Sequence, residues 1–204
     1  MTSSIAKRMP LQSALAALSR LPDLITAALM VTIMLPSYSW GAAGDMEYLL
    51  APSSRLPVDD GHTYAFQSSN YPERRIRHKN FLGYLDPIGV SSSQLAKNDS
   101  SFFIHSGLSN ASCYSFAAKK FPSYYLRHQG YRVKLQLFTG DKQFKDDATF
   151  CKQPALNGIG MSFAPINLSG QYYIRHRGFE LYLDPFQDNQ LYRNDASFVA
   201  VHGF

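Results

Sequence analysis

Two kinds of hydrophobic pattern divide the chain. An unbroken apolar run, LITAALMVTIML, occupies residues 24–35. From Gly61 onward, short alternating or aromatic-rich runs are separated by turn residues, such as Asn-Tyr-Pro at 70–72 and Asn-Gly at 157–158, and no helical period is sustained. Short alternating runs between turn residues are typical of β-strands. We therefore predict an all-β domain over residues 61–204.

A period of 48 residues organises this domain. Three tetrapeptides, DSSF, DATF and DASF, begin at aspartates that are 48 residues apart. In each period a phenylalanine precedes a histidine by 12 or 13 residues, and about four strand-sized runs are present. Such triplication predicts a closed β-trefoil with approximate threefold symmetry, whereas a three-bladed propeller is less favoured because known propellers have four or more blades. The predicted repeats are residues 63–110, 111–158 and 159–204, hereafter repeats one, two and three.

The N-terminal apolar run is typical of an export signal. Twelve residues are too few to cross a bilayer comfortably but suit the core of a signal peptide, and basic residues precede them. Small residues follow, so we expect residues 1–44 to be a signal peptide or hydrophobic segment, cleaved near Ala43 or Gly44. The alternatives are an uncleaved membrane anchor, a later start at Met9 and a cytoplasmic protein. Residues 45–60 are predicted to be a linker.

The two cysteines agree with export. The sequence has two cysteines, Cys113 and Cys151. An even number of cysteines in an exported chain suggests one disulfide, and the alternative is two free buried thiols. The bond would connect the first and last strands of repeat two.

Composition and charge narrow the functional classes. With 204 residues, 45% of them hydrophobic and 17% charged, the chain can bury a core and is not compositionally disordered. The net charge of +5 comes from basic residues that are spread along the chain. We therefore expect no nucleic-acid partner.

Each repeat places one histidine and one aspartate at matched positions. The structural interpretation is a histidine packed on a strand and an aspartate that accepts from turn amides. We prefer a binding role because the pair recurs while its flanking residues vary. The pairs are His78 and Asp99, His128 and Asp147, and His176 and Asp195.

The triplicated pair favours sugar binding over catalysis. Equivalent single carboxylates lack the asymmetric acid pair of a glycosidase, and one histidine with one aspartate is too few ligands for a closed zinc site. We therefore expect no catalytic residues, metal or cofactor. A carboxylate, an imidazole and aromatic walls suit a neutral polyhydroxylated ligand, and several weak pockets on one polymer gain by multivalency.

Several motifs carry a family resemblance. They are FQSSNYP at Phe66–Pro72, the tripeptides IRH, LRH and IRH, YLDP at Tyr84 and at Tyr182, and the three aspartate tetrapeptides. This pattern resembles the arabinose-binding domain of α-L-arabinofuranosidase B, carbohydrate-binding module family 42, which is a β-trefoil. The resemblance covers Gly61 to Phe204 and implies binding of arabinofuranose side chains on arabinoxylan or arabinan. It implies that the pockets use the repeated histidines and aspartates, and we expect Tyr125 and Tyr173 to form aromatic walls.

Repeat one departs from the other two. Arg74 and Arg75 replace a tyrosine pair, which suggests a missing aromatic wall. The family's asparagine two residues after the histidine is kept as Asn80 but is glycine in repeats two and three. Asn98 begins an N-glycosylation sequon next to Asp99, and Asn110 and Asn167 begin two more. We therefore predict that repeats two and three bind sugar and that repeat one is weak or silent.

These observations predict a secreted, monomeric, non-catalytic module whose partner is arabinose-substituted plant polysaccharide. Residues 45–60 cannot form a catalytic domain, and membrane contact is expected only if the N-terminal segment stays uncleaved. The alternatives are an α-L-arabinofuranosidase or a fragment of one, a trefoil that serves as an interaction scaffold, and another pentose or galactofuranose as the ligand.

Overall fold

The computed structural model describes residues 55–204. The predicted signal segment and most of the predicted linker lie outside these residues. Within them the chain forms twelve strands and three short helices. The strands are β1 Thr63–Ser68, β2 Arg74–Lys79, β3 Leu82–Pro87, β4 Phe102–Ser106, β5 Tyr114–Ala118, β6 Tyr124–Gln129, β7 Arg132–Leu137, β8 Phe150–Pro154, β9 Met161–Pro165, β10 Tyr172–Arg177, β11 Glu180–Pro185 and β12 Phe198–His202. The helices are α1 Gln94–Asp99, α2 Lys142–Asp147 and α3 Gln190–Asp195.

The prediction of an all-β fold is confirmed, and the strands pair antiparallel in a closed circuit. Ten strands follow the order β11-β3-β2-β1-β12-β9-β8-β5-β6-β7, and β7 pairs with β11 again. Strand β10 pairs with β11 along its whole length, and β4 pairs with β1 and β5. The first and last described strands, β1 and β12, are neighbours over five residue pairs. The two ends of the domain are therefore held together by a backbone ladder.

The three helices were not predicted from the sequence. Each has six residues and ends at the aspartate of a repeated tetrapeptide. Ser93, Asp141 and Asn189 cap them, because each side chain accepts a hydrogen bond from a backbone N–H three residues later. Six residues are too few for a helical period to be visible in the sequence. Their effect is to fix each repeated aspartate at the end of a capped helical turn.

Three hairpins of the same kind form the β2–β3, β6–β7 and β10–β11 pairs. The two loop residues of each hairpin have positive φ: 51° and 59° at Asn80 and Phe81, 57° and 62° at Gly130 and Tyr131, and 59° and 63° at Gly178 and Phe179. Two residues with positive φ define a type I′ turn, whose first position asparagine and glycine both tolerate. The exchange of Asn80 for glycine in the other repeats is therefore explained by the turn itself.

The core is centred on one phenylalanine from each repeat. The rings of Phe66, Phe116 and Phe163 lie 5.0, 5.2 and 5.3 Å apart, centroid to centroid, and all three pairs meet edge to face. Each ring is at most 2% exposed. Edge-to-face contacts of this kind stabilise beyond the area they bury.

The two cysteines form the predicted disulfide. Cys113 directly precedes β5 and Cys151 lies in β8, and the neighbouring residues Tyr114 and Phe150 are paired across these strands. The bond therefore joins the first and last strands of repeat two.

Candidate functional site

The structure brings each predicted histidine and aspartate together. Nε2 of the histidine and Oδ1 of the aspartate are 3.5 Å apart in repeat one and 3.4 Å apart in repeats two and three. All six side chains are buried, with residue exposures between 3% and 6%. We call these sites pocket one, with His78 and Asp99; pocket two, with His128 and Asp147; and pocket three, with His176 and Asp195.

The second oxygen of each aspartate accepts from an arginine. Arg77 Nη2 lies 3.0 Å from Asp99 Oδ2, Arg175 Nη2 lies 3.2 Å from Asp195 Oδ2, and Arg127 contacts Asp147 in the same way. Each arginine directly precedes the pocket histidine, and the two side chains lie against different oxygens of the same carboxylate. Together they fix the orientation of the carboxylate.

A second carboxylate joins two of these ion pairs. Arg77 lies 3.3 Å from Asp86, and Arg175 lies 3.4 Å from Asp184. Gln136 occupies the matching position of β7 in repeat two. These are the aspartates of the two YLDP motifs, whose role is thus to hold the arginine.

In pockets two and three an asparagine from another repeat links the histidine to the aspartate. Asn167 of repeat three donates to Asp147 Oδ1 over 2.6 Å and lies 2.9 Å from His128 Nε2. Asn70 of repeat one makes the same two contacts with Asp195 and His176, both over 3.1 Å. Because the amide nitrogen donates to the carboxylate, the amide oxygen is left to accept from Nε2–H of the histidine. Sequence reasoning did not assign these asparagines to the site.

Pocket one lacks this asparagine. Asn70 and Asn167 lie four residues after Phe66 and Phe163, and the residue four after Phe116 is Lys120. The Nε2 atom of His78 is buried and has no hydrogen-bond partner among the described residues. Pocket one is therefore chemically different from the other two.

Burial controls the charge of two pocket histidines. Desolvation lowers the pKa of His78, and the nearby Arg77 lowers it further, while Asp99 opposes the change. The pKa of His176 is lowered in the same way, first by burial and then by Arg175 and Arg74, against Asp195. These imidazoles are therefore neutral near pH 7 and act as hydrogen-bonding groups, each beside a carboxylate held by arginine.

Aromatic rings border the pockets, and they come from two repeats. In pocket three Phe179 stacks on His176 with centroids 6.0 Å apart, and Tyr71 meets His176 edge-on at 5.6 Å. In pocket one the ring of Phe121 lies 6.4 Å from His78. In repeat two, Tyr131 lies three residues after His128 and stacks on Tyr172 with centroids 5.8 Å apart. Tyr131 and Phe179 are bulky residues at positive φ, a strained backbone conformation. Their ring contacts compensate for this strain.

The tyrosines proposed as aromatic walls have other neighbours in the structure. Tyr125 packs against His105 and Phe138, and Tyr173 packs against Phe186. Their role in sugar contact stays a prediction. Tyr172, which precedes Tyr173 in β10, stacks on Tyr131.

Arg74 of repeat one contacts an aromatic ring of pocket three. Its guanidinium lies 3.8 Å above the ring of Phe179, in pocket three, and it donates to the carbonyl of Leu85. The arginine that replaces a tyrosine in repeat one therefore changes pocket three, and it does not explain a weakness of pocket one.

Two clefts have the size of a sugar site, and neither is lined by a pocket histidine, aspartate or asparagine. One of 490 Å³ is lined by Tyr131, Tyr172, Tyr182, Asp184 and Arg177. Another, of 470 Å³, includes Phe81, Tyr124 and Arg127 in its lining. Volumes of 300 to 1,000 Å³ are typical of small-ligand pockets, about the size needed for one or two sugar rings.

The three sequons lie in different surroundings. Asn110 is exposed in the loop before β5, and Asn98 is half-buried in α1, where its side chain accepts from Gln94 over 2.9 Å. Asn167 is a member of pocket two. A glycan on Asn167 would therefore compete directly with the contacts of that pocket.

Residues 55–204 lack two features that would bear on other functions. No group of three or more histidine, cysteine, aspartate or glutamate side chains there could hold a metal ion. No helix in this part of the chain is long and apolar enough to cross a membrane.

The all-β fold and the repeated pockets are those of a carbohydrate-binding module. A solved β-trefoil, BEL, superposes with a TM-score of 0.53 at 10% identity over 74% of this chain and 97% of that chain, which supports the fold alone. The chain belongs to the alpha-L-arabinofuranosidase B (ABFB) domain family, whose model matches residues 63–200. This domain is the one classed as carbohydrate-binding module family 42.

Similar proteins are much longer than the matched region. A probable alpha-L-arabinofuranosidase B of Aspergillus fumigatus is 33% identical over 118 residues, which are 58% of this chain and 23% of that protein. Alpha-L-arabinofuranosidase B of Aspergillus kawachii is 38% identical over 92 residues, 45% of this chain and 18% of that protein. The match thus spans about a quarter or less of these relatives.

Solved structures of related enzymes match this chain through the same domain. A GH54 α-L-arabinofuranosidase soaked with a cyclic sulfate inhibitor has a TM-score of 0.64 at 30% identity, over 74% of this chain and 32% of that chain. An arabinofuranosidase complexed with arabinofuranosyl-α-1,2-xylobiose has a TM-score of 0.62 at 30% identity, over 70% and 32%. The matched part is the non-catalytic domain of these enzymes.

Proposed function

We propose that this protein is a secreted carbohydrate-binding module that recognises L-arabinofuranosyl side chains of arabinoxylan or arabinan. The observation that carries the proposal is the pre-organised aspartate, histidine and asparagine set of pockets two and three. Its hydrogen-bonding groups are fixed by an arginine on one side and by the neighbouring repeat on the other. A ligand therefore loses little free energy in ordering the site.

The chemistry of the set suits sugar hydroxyls. The carboxylate Oδ1 already accepts one amide hydrogen and has lone pairs left for ligand hydroxyls. Phe179 in pocket three and Tyr131 in repeat two supply aromatic rings that can cover the C–H face of a furanose. The relatives' printed names support arabinofuranose as the sugar, and the repeated pockets support a polymer as the partner.

The geometry favours binding without hydrolysis. A glycosidase needs one carboxyl group that donates a proton to the leaving oxygen and a second that attacks or activates water. Each pocket aspartate is instead an acceptor for an arginine and is equivalent to its counterparts in the other repeats. We infer that any cleavage of the same polysaccharide requires a separate catalytic domain or enzyme.

The matched arrangement of the repeats supports a β-trefoil with pseudo-threefold symmetry. The order of three strands, one helix and one strand occurs three times, and the three central phenylalanines are nearly equidistant. Secretion is proposed on the basis of the N-terminal sequence pattern and the disulfide, and a monomer on the basis of the closed strand circuit.

Affinity electrophoresis of the full chain would test the proposal. We expect retardation in gels that contain arabinoxylan and none with the same xylan after enzymatic removal of arabinose. Asp147→Asn and Asp195→Asn keep the shape of the pocket but replace the acceptor that faces the ligand. Each should weaken the binding of its own pocket about tenfold, the effect of losing one charged hydrogen-bond acceptor.

Asp188→Asn is the matched control, since Asp188 is largely exposed and pairs with Arg193, which is not one of the arginines that hold a pocket aspartate. It should bind arabinoxylan like the parent protein. Equal retardation on both polymers would contradict recognition of arabinose, and unchanged binding by the Asp147→Asn, Asp195→Asn double variant would contradict the assigned pockets.

A further inference from the structure

Pocket one has a cation and an open donor where the other pockets have an amide. The asparagine of pockets two and three occupies both the histidine Nε2 and the aspartate Oδ1. In pocket one His78 is 5% exposed, its Nε2 has no hydrogen-bond partner among residues 55–204, and Asp99 Oδ1 stays 3.5 Å away. A buried polar atom of this kind is a place where a ligand group gains an interaction without displacing a protein one.

Lys120 occupies the sequence position that the bridging asparagine has in the other repeats. It is exposed, and its ammonium lies 5.8 Å from the centre of the Phe121 ring, which in turn is 6.4 Å from His78. Among residues 55–204, the Lys120 side chain has this ring contact and no hydrogen bond or ion pair. Arg74, the cation of pocket three, differs because it is bound to the carbonyl of Leu85.

The carboxylate of Asp99 repels an anionic ligand less strongly than an isolated carboxylate would, because an arginine is paired with it. Arg77 holds it at 3.0 Å and also holds Asp86 at 3.3 Å. With Lys120 included, the two cations balance the two carboxylates before a ligand arrives. The position for a new anion is marked by His78 Nε2, to which the asparagine oxygen is bonded in the other pockets, and Lys120 takes the place of that asparagine in the sequence.

We propose that pocket one binds an acidic sugar, a uronate. The ligand carboxylate accepts from Nε2–H of His78 and pairs with the Lys120 ammonium, in the place of the missing asparagine. A ligand hydroxyl donates to Asp99 Oδ1, and the C–H face of the sugar packs on Phe121, which is 39% exposed. This inference rests on the proposed sugar-binding function and gives pocket one a different ligand from pockets two and three.

Calorimetric titration of the full chain with sodium glucuronate tests the inference, with methyl α-L-arabinofuranoside as the neutral probe. Lys120→Asn should weaken glucuronate binding about tenfold and create an additional arabinofuranoside site. Lys142→Asn removes the same charge from an exposed position on α2, where Lys142 pairs with Asp146, and should leave both titrations unchanged. Sodium acetate should not compete, because it offers a carboxylate without the sugar.

The outcomes separate the two proposals. The Asp147→Asn, Asp195→Asn double variant should lose arabinofuranoside binding and keep glucuronate binding. Arabinofuranoside binding without glucuronate binding overturns the inference and leaves the proposed function standing. Glucuronate binding without arabinofuranoside binding overturns arabinofuranose as the ligand of pockets two and three and leaves the inference about pocket one standing. Competition by acetate, or equal effects of Lys120→Asn and Lys142→Asn, would show an unspecific anion effect and overturn the inference.

Discussion

At the scale of single residues, the pocket aspartates are important both for ligand contact and for folding. Each is the ion-pair partner of a largely buried arginine, and removing the carboxylate leaves the arginine charge uncompensated. Asparagine also removes the charge, but it keeps the shape of the side chain and an oxygen that accepts from the arginine, so the substitutions proposed above are to asparagine. A change to alanine would mix a loss of stability of about 3 to 5 kcal/mol with the loss of a ligand contact.

Asn167 connects ligand binding with glycosylation. Its side-chain nitrogen, the atom that a glycan would modify, donates to Asp147 in pocket two. In a host that modifies this sequon, we expect pocket two to be silent. Mass spectrometry of the Asn167 peptide, together with arabinoxylan binding before and after enzymatic deglycosylation, would measure the effect.

Ser169→Ala provides the control for this prediction, because it removes the sequon and leaves Asn167 in place. The variant should bind as well from a glycosylating host as from a non-glycosylating one. Full activity of pocket two with a glycan on Asn167 would contradict the contact seen in the structure.

The buried histidines predict how stability depends on pH. Burial lowers the pKa of His78 and His176 in the folded protein below the ordinary value of 6.5. The unfolded chain therefore binds more protons as the pH falls through about 6.5, and the free energy of unfolding decreases until the lower, folded-state pKa is passed. We expect urea midpoints to fall between pH 7 and pH 5.

A His78→Gln, His176→Gln variant checks the origin of this fall. Aspartates and glutamates ordinarily titrate below pH 5, so they contribute little in this range. The variant should show a smaller decrease than the parent. An equal decrease would mean that other groups bind the protons.

At the scale of secondary-structure elements, the disulfide is the clearest test. It joins the residue directly before β5 to β8 across a sequence separation of 38 residues. Loop-closure entropy predicts a stabilisation of about 4 kcal/mol, which the Cys113→Ser, Cys151→Ser variant should lose in denaturant unfolding. Reduced parent protein should match the variant. A much smaller loss would mean that the unfolded state of repeat two is already compact.

The elements also show what the sequence could and could not predict. The repeated Phe66, His78 and Asp99 positions were found because each occurs three times at nearly constant spacing. The helix that carries Asp99 was missed because six residues are shorter than two helical turns. The turn role of Asn80 was hidden because glycine meets the same backbone requirement in the other repeats.

The partner of each pocket could not be predicted from spacing within one repeat. Asn167 reaches back 39 residues to His128, and Asn70 reaches forward 106 residues to His176. No local pattern relates residues at such different separations. The closed strand circuit makes both contacts equivalent in space, so three-dimensional structure was needed to find them.

At the scale of the whole molecule, the three central phenylalanines couple the repeats. Each ring touches the other two, so Phe116→Ala removes contacts in all three repeats. A change of this kind in a core costs about 3 to 5 kcal/mol. Thermal or denaturant unfolding should show one cooperative transition at lower stability. Val90→Ala, at a position 64% exposed, is the control and should change little.

In pockets two and three, an asparagine of one repeat completes the pocket of another repeat. This arrangement has a consequence for how such a molecule can be built. A single repeat of about 48 residues carries a histidine and an aspartate but not its own bridging amide, so as an isolated peptide it would have no complete pocket. Three identical copies that associate in a ring would each supply the amide to a neighbour, and all three pockets would be complete. The geometry thus allows an ancestral or designed homotrimer to bind sugar before the copies are fused into one chain. After fusion, the bridging position of each repeat can be substituted independently. Lys120 is such a substitution, because it replaces the asparagine in one repeat only.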